Sequence, residues 1–262
     1  MQNIDLIFIL QPIIVIILAS TLLVSWYCKR RFHLMVLVYS LVAYAVAIAL
    51  KYAVQIPTVA QVTDYFGAQS AGLGVYYGLQ TVFFEVGLAY VVAWYVVSHG
   101  MLERKDAEAY GAGLAFWENA VLLGILSLIS LVAYFSILST NTPLAQTVYD
   151  QLNKSTPGLF APVSQALESV AFGTLERISS ILFHSAWGYL CFVAAYIHKK
   201  RLFLIALPMG FVDFLVPFAP NLGIPLFEAI VFALSVFSVL VAWYATKQFR
   251  KNIETKTASS QI

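Results

Sequence analysis

Five ionisable side chains lie in parts of the chain that are otherwise apolar enough to cross a bilayer. They are four acids and one histidine: Glu85, Glu118, Glu176, Asp213 and His184. An ionisable group in hydrocarbon costs about 2.5 kcal/mol or more, so such groups usually face one another, an ion or a water-filled cavity. Carboxylates and imidazole also bind divalent metals and transfer protons. We therefore expect the function of the protein to depend on these residues.

The composition predicts an integral membrane protein. Apolar and aromatic residues make up 61% of the 262 residues, charged residues make up 11%, and the mean hydropathy is +0.82. A helix needs about 20 apolar residues to cross the bilayer core. Seven stretches meet this requirement: 4–27, 34–54, 71–99, 109–138, 170–197, 202–219 and 224–246. The predicted fold is all-α, with residues 1–262 forming a single polytopic bundle of seven transmembrane helices.

Basic residues gather in four groups along the chain, and two apolar spans separate each group from the next. The groups are Lys29, Arg30 and Arg31; Arg104 and Lys105; Lys199, Lys200 and Arg201; and Lys247, Arg250, Lys251 and Lys256. If seven helices alternate in direction, all four groups lie on one side, and the positive-inside rule makes that side cytoplasmic. We therefore expect an N-terminus outside the cell, a cytoplasmic tail over 247–262, and a multi-pass protein of the plasma membrane in contact with its lipid.

Two connections on the predicted outer side are long and differ in character. Residues 55–70 contain a proline and several polar residues, which predicts a loop or a short re-entrant segment. Residues 139–169 form the longer extracytoplasmic connection. Within it Leu144, Val148 and Leu152 have helical spacing, which predicts a short amphipathic helix on the membrane surface.

Two charged residues lie near the predicted outer ends of spans. Lys51 is close to the end of the second span, where its long side chain is expected to extend the amine to the interface. Glu228 is close to the outer end of the last span and is expected to be hydrated. Neither residue is therefore placed in the predicted site.

The depth of the ionisable residues can be estimated by counting about 1.5 Å per residue from each helix end. The count places Glu85, His184 and Asp213 near the middle of their spans and Glu118 somewhat to the cytoplasmic side, so that the four can share one layer. Glu176 and Arg177 lie nearer the outer face, on the same span as His184. The predicted arrangement is a polar cavity between the third and sixth spans.

Several motifs on successive spans carry a family resemblance. Residues 175–177 (Leu-Glu-Arg) and 183–188 (Phe-His-Ser-Ala-Trp-Gly) resemble a Glu-Arg pair that precedes a helix-borne His. Residues 111–118 (Gly-Ala-Gly-Leu-Ala-Phe-Trp-Glu) resemble a Gly-x-Gly-His-Gly-Gly-x-Glu helix, and residues 209–214 (Met-Gly-Phe-Val-Asp-Phe) resemble a closing His-x-x-x-Asp-Phe. Glu85 lies where a Glu-Glu-x-x-Arg motif is expected. Over about residues 75–215 the chain thus resembles the YhfC family of intramembrane metalloproteases, relatives of the CAAX-prenyl-protease and bacteriocin-processing superfamily.

The resemblance implies a peptidase that hydrolyses peptide bonds within the bilayer with a metal-activated water. It implies a divalent metal, with zinc as a candidate, held by His184, Asp213 and Glu118. It also implies a set of residues that act as general base, oxyanion donor or further ligand: Glu118, Glu176, Arg177 and Glu85. The expected partner is a membrane-protein or peptide substrate, and no nucleic acid is expected to bind.

Four residues depart from the family motifs. Leu114 and Met209 stand in place of His, Phe84 in place of Glu, and Leu88 in place of Arg. One imidazole among carboxylates is also less suited to zinc than to harder ions. These losses favour a catalytically inactive pseudoprotease that serves as a scaffold or accessory subunit. A proton or ion transporter is a further alternative, because buried carboxylates with one histidine also make up proton relays.

Structural roles are open for the same residues. Glu176 and Arg177 can form a buried ion pair that fixes the register of neighbouring helices. His184 can be satisfied by neighbouring serine hydroxyls, and Asp213 can donate to a carbonyl freed by a proline of its own helix.

Overall fold

The protein is a bundle of eight helices in a computed structural model that describes residues 4–140 and 142–259, with side chains described as far as residue 247. The helices are α1 (Leu6–Arg30), α2 (Met35–Phe66), α3 (Ala71–Ser98), α4 (Arg104–Leu138), α5 (Pro143–Ser155), α6 (Val163–Tyr196), α7 (Lys200–Leu222) and α8 (Ile224–Ser259). Seven of them, all except α5, are long and apolar enough to cross a membrane. The described residues form no strand. The predicted all-α, seven-span fold is confirmed, and the protein is a multi-pass membrane protein that contacts lipid.

The second span is longer than predicted, because α2 continues through Pro57 to Phe66. The prediction of a loop over 55–70 is therefore wrong for most of its length. Past the proline, the Thr58 hydroxyl donates to the Val54 carbonyl at 2.6 Å and lies 2.7 Å from the Tyr76 hydroxyl on α3. These contacts hold the distal part of α2 against its neighbour. The helix ends at Gly67, whose φ of +90° is a conformation that only glycine adopts without strain.

The predicted surface helix corresponds to α5, which the Thr142 side chain caps by accepting from the Ala145 amide at 3.3 Å. Of its apolar residues, Leu152 is buried and Leu144 is exposed. Leu152 belongs to a small core with residues of α1, α4 and α6. This small core holds the connection between α4 and α6 against the ends of three spans.

The central element of the bundle is α6. The central part of its span is 72% buried, against 17–28% for the other six spans. Its 34 residues extend about 51 Å at about 1.5 Å per residue, which exceeds the ~30 Å hydrocarbon core. The helix begins at Val163, seven residues before the predicted start of the span. Residues placed on α6 are therefore shielded from lipid and can face several other helices.

Two glycines bring α4 and α6 into close contact. A Cβ atom added to Gly188 would lie 2.6 Å from the Cα of Gly111, and one added to Gly111 would lie 2.4 Å from the Ser185 carbonyl oxygen. Small residues allow this kind of backbone contact between membrane helices. The contact fixes the distance between the two helices that carry Glu118 and His184.

The basic groups that the structure describes meet at one end of the bundle. His33 Nδ1 lies 2.9 Å from Asp106 Oδ2, Arg30 pairs with Glu108 at 3.4 Å, and Arg104 donates to the Tyr189 hydroxyl at 3.0 Å. These contacts bring together the ends of α1, α4 and α6. We call this the basic end. The side chains of Arg250, Lys251 and Lys256 lie outside the described residues, and the assignment of the basic end to the cytoplasm stays a prediction.

The glycine contact generates a stability prediction. Gly188→Ala places a methyl group against backbone that cannot move aside, so we expect a loss of about 1–3 kcal/mol of stability and a midpoint of thermal unfolding lowered by several degrees. Gly87→Ala is the matched control, because a Cβ there would meet its nearest neighbour at an ordinary 3.5 Å. Differential scanning fluorimetry in detergent compares the two variants. Equal midpoints would show that the α4–α6 approach is not tight.

The predicted topology can be tested with the native cysteines, because Cys28 is exposed at the basic end and Cys191 is buried. A membrane-impermeant maleimide added to intact cells is expected to leave Cys28 unlabelled. It is expected to label the Gln151→Cys variant, made in a Cys28→Ser background, on the exposed surface of α5. The opposite pattern would place the basic end outside.

Candidate active site

Three of the acidic residues lie where their helices depart from α geometry. Glu85 is in a π-helical stretch of α3 (Thr81–Val86), Glu118 is in one of α4 (Trp117–Ile125), and Asp213 is in a 3₁₀ stretch of α7 (Phe211–Phe218). A π turn inserts extra residues into a helix and changes the direction of the side chains around it, and such turns are frequent at functional sites. These irregular turns orient the carboxylates of the site.

The centre of the site is formed by His184, Glu85 and Glu118. His184 Nε2 lies 2.8 Å from Glu118 Oε2 and 3.3 Å from Glu85 Oε2. One ligand atom from each of the three residues lies within 4.8 Å of the other two. The His184 residue is only 5% exposed. We call these three residues the central cluster.

The contact of His184 Nδ1 with a backbone carbonyl indicates which ring nitrogen carries the hydrogen. The other nitrogen is then the acceptor that faces the carboxylates. Nδ1 lies 3.0 Å from the Ser180 carbonyl oxygen, which can only accept, so we assign the ring hydrogen of the neutral imidazole to Nδ1. Nε2 then presents a lone pair to two carboxylate oxygens. Among the described residues no donor is aligned with Glu118 Oε2, which is buried. Three facing acceptors repel one another unless a cation, either a proton or a metal ion, lies between them.

Lys51 lies at one flank of the central cluster. Its Nζ is 2.7 Å from Glu85 Oε1, 2.8 Å from Thr81 Oγ1 and 3.0 Å from Asp213 Oδ2. Thr81 in turn donates to Asp213 Oδ2 at 2.5 Å. The prediction that Lys51 extends to the interface is wrong, because α2 runs on to Phe66 and leaves Lys51 at mid-helix. There the amine is stabilised by two carboxylates.

Arg177 lies at the other flank. Its Nη1 is 3.6 Å from Glu118 Oε1, and its Nη2 pairs with the neighbouring Glu176 carboxylate. The result is an unbroken line of groups from α7 to α6: Asp213, Lys51, Glu85, His184, Glu118, Arg177 and Glu176. We call this line the ionic network. With neutral His184 it holds four carboxylates and two permanent cations, an excess of two negative charges that one divalent cation would balance.

A cavity of about 630 Å³ opens beside the ionic network, between α6, α7 and α8. Its lining extends along α6 from Gln165 to Trp187. Glu228 on α8 also lines it, and the prediction that Glu228 is hydrated near the surface is wrong, because the residue is 6% exposed. The cavity gives the central cluster an open side on which water and a ligand can be placed.

The structure places the predicted site residues in different positions along the network. It brings Glu118 and His184 together with Glu85 in the central cluster. Asp213 contacts Lys51 and Thr81 and does not belong to the group of three. Leu114 and Met209, at positions where the resemblance expects His, are buried in the main apolar core. The set of possible ligands thus differs from the expected His184, Asp213 and Glu118 by the exchange of Asp213 for Glu85.

Sequence reasoning did not assign Lys51, Thr81 or Glu228 to the site. Thr81 carried a local signal, since it precedes Glu85 by four residues and so shares its helix face. Lys51 would have been found only with the correct end of α2, which its proline concealed. Glu228 carried a signal as an acidic residue inside the last predicted span, but its burial depends on how α8 packs against α6.

One of three comparisons with known proteins identifies a family. The family model of the YhfC intramembrane metalloprotease matches residues 13–222, which include all seven residues of the ionic network. Neither a curated protein nor a solved structure matches the chain. The match extends well beyond the 75–215 of the sequence resemblance and covers most of the chain. The protein therefore belongs to the YhfC intramembrane metalloprotease family, a membership that implies a divalent metal.

Proposed function

We propose that the protein is a zinc-dependent protease that cleaves peptide bonds within the plasma membrane, with zinc held by Glu85, Glu118 and His184. The observation that carries the proposal is the central cluster, which gathers one nitrogen and two oxygen ligand atoms within 4.8 Å beside an open cavity. Catalytic zinc sites use three protein ligands and keep a fourth position open. Family membership supports the same reaction.

The residues around the cluster fit a metal because each ligand has one atom engaged and one atom left over. Lys51 binds Glu85 through Oε1, and Arg177 approaches Glu118 at Oε1. In both carboxylates Oε2 is the atom that faces His184 Nε2. The Ser180 carbonyl holds the imidazole through Nδ1. Partners of this kind fix the orientation of metal ligands and retain their charge.

A bound zinc ion would supply Lewis acidity and a nucleophilic water near neutral pH. The remaining groups of the network suit the other steps. Glu176 lines the cavity, where its carboxylate can accept the proton of the attacking water. Arg177, which lines the same cavity, offers a guanidinium to the developing oxyanion of the peptide carbonyl. The cavity admits the substrate segment, and the surrounding helices exclude bulk water from the reacting groups.

A non-catalytic scaffold is the second candidate, and a specific observation favours it. Leu114 and Met209 occupy family ligand positions and are buried in the apolar core, so they contribute no ligand. A proton shared between His184 and a carboxylate would also satisfy the three acceptors. In that case the ionic network would serve only to hold the helices together.

Metal binding separates the two candidates. We expect the purified protein to bind about one zinc ion per chain and the His184→Ala variant to lose stoichiometric binding, because the cluster keeps only two ligands. His99→Ala is the control, since His99 is exposed at the end of α3, outside the cavity. Isothermal titration and elemental analysis measure the stoichiometry. No wild-type binding at micromolar zinc would exclude the zinc site, and tighter binding of Mn²⁺ would change the assigned metal.

Cleavage tests the reaction itself. Zinc-loaded protein in detergent is incubated with a mixture of synthetic single-span peptides, and mass spectrometry identifies new termini. We expect Glu118→Gln to reduce cleavage by at least about a hundredfold, because the change removes a charged ligand at the metal. His99→Ala is expected to retain wild-type cleavage. Intact peptides in the presence of zinc-loaded wild-type protein would favour the scaffold.

A further inference from the structure

We propose that the cavity is specific for basic substrates and that Glu228 binds the ammonium or guanidinium group of a substrate Lys or Arg. The proposal rests on the protease function proposed above and adds the class of substrate. The proposed site lies in the part of the cavity beyond the ionic network. Glu228 lies there, four residues after the start of α8. That part is at the end of the bundle opposite the basic end.

Glu228 is a buried carboxylate that forms no hydrogen bond or ion pair with the described residues. Its residue is 6% exposed, and no donor in the described part of the chain bonds to its buried Oε2. A buried polar atom left without a hydrogen bond is unfavourable, and a buried charge without a counter-ion is more so. The carboxylate lines the cavity, so the missing partner can be supplied from the cavity.

No cation among the described residues forms an ion pair with Glu228, and Arg177 acts on it only at longer range. The two cations that line the cavity are Lys51 and Arg177. Lys51 is engaged by Glu85 and Asp213, and Arg177 by Glu118 and Glu176. Glu168 adds a second carboxylate to the same cavity lining, and it has no ion pair among the described residues. The lining therefore carries two carboxylates, Glu168 and Glu228, that form no ion pair among the described residues, and a low-dielectric cleft with an excess of one charge sign attracts ligands of the opposite sign.

The lining of the cavity also includes apolar residues, Phe183 and Phe227 among them. A Lys or Arg side chain suits this combination, because its aliphatic stem packs on apolar surface while its charged end binds a carboxylate. A peptide supplies such a side chain together with a scissile segment for the cluster. Basic residues are rare at the extracytoplasmic ends of membrane helices, so the requirement would select a minority of substrates if the predicted topology holds.

The test measures peptide binding in the absence of metal, so the result does not depend on cleavage. Protein in EDTA is placed in nanodiscs of phosphatidylcholine and phosphatidylglycerol. Two fluorescent single-span Leu/Ala peptides are compared, one with Lys at its extracytoplasmic end and one with Met there. We expect the Lys peptide to bind the wild type about tenfold more tightly, a difference typical of one desolvated ion pair. Glu228→Gln is expected to abolish the preference, whereas Glu103→Gln, at an exposed acid of the basic end, is expected to keep it.

The outcomes are separable from those of the metal and cleavage experiments. Equal affinities for the two peptides, or an undiminished preference in Glu228→Gln, would overturn the assignment. The wild-type comparison decides the question even if Glu228→Gln fails to fold. Phosphatidylethanolamine added to the nanodiscs provides a lipid ammonium, and loss of the wild-type preference on its addition would overturn the assignment to a substrate. A failed zinc titration leaves the Lys preference measurable, and a missing preference with intact zinc binding defeats only the specificity.

Discussion

The structure depends on the pairing of opposite charges inside an apolar bundle. Charges in hydrocarbon are tolerated only where another charge, a polar group or water compensates them. The ionic network meets this constraint by alternation, because each carboxylate has a cation or His184 on one side or on both. Its members come from α2, α3, α4, α6 and α7, so the network also fixes the positions of five helices relative to one another. A single charge removed from such a line leaves its neighbours unpaired.

The same alternation prepares the central cluster for chemistry. Lys51 and Arg177 each engage the Oε1 atom of a glutamate and leave Oε2 directed at His184. The cations thus retain the negative charge on the two carboxylates and orient them at the same time. Each half of the network has two carboxylates that share one cation, so each half carries one excess negative charge, and the two halves meet at the three acceptor atoms. A structural ion network and a metal site are therefore compatible uses of one arrangement.

The departures from the family motifs have a structural explanation at one position. A Cβ atom added to Gly188 would lie 2.8 Å from Leu114 Cδ1, so Leu114 fills the space beside the close α4–α6 contact. A packing residue replaces a potential ligand there. Glu85, in the π-helical stretch of α3, provides the third candidate ligand atom of the central cluster in place of Asp213. The chain thus has a three-residue candidate site whose composition differs from that of the expected ligand set.

The sequence by itself determined the membrane class, the seven spans and the family, because the length of apolar stretches and the order of motifs are properties of the linear chain. It also indicated that Glu85, Glu118 and His184 lie at similar depth, since depth follows from counting residues along a helix. Tertiary structure alone decided the partners. The continuation of α2 beyond Pro57 placed Lys51 in the site, and packing of α8 on α6 buried Glu228. Which residues are neighbours across helices depends on how the spans rotate and pack. The irregular turns at Glu85, Glu118 and Asp213 change the direction of these side chains, and residue spacing in the sequence does not predict such turns.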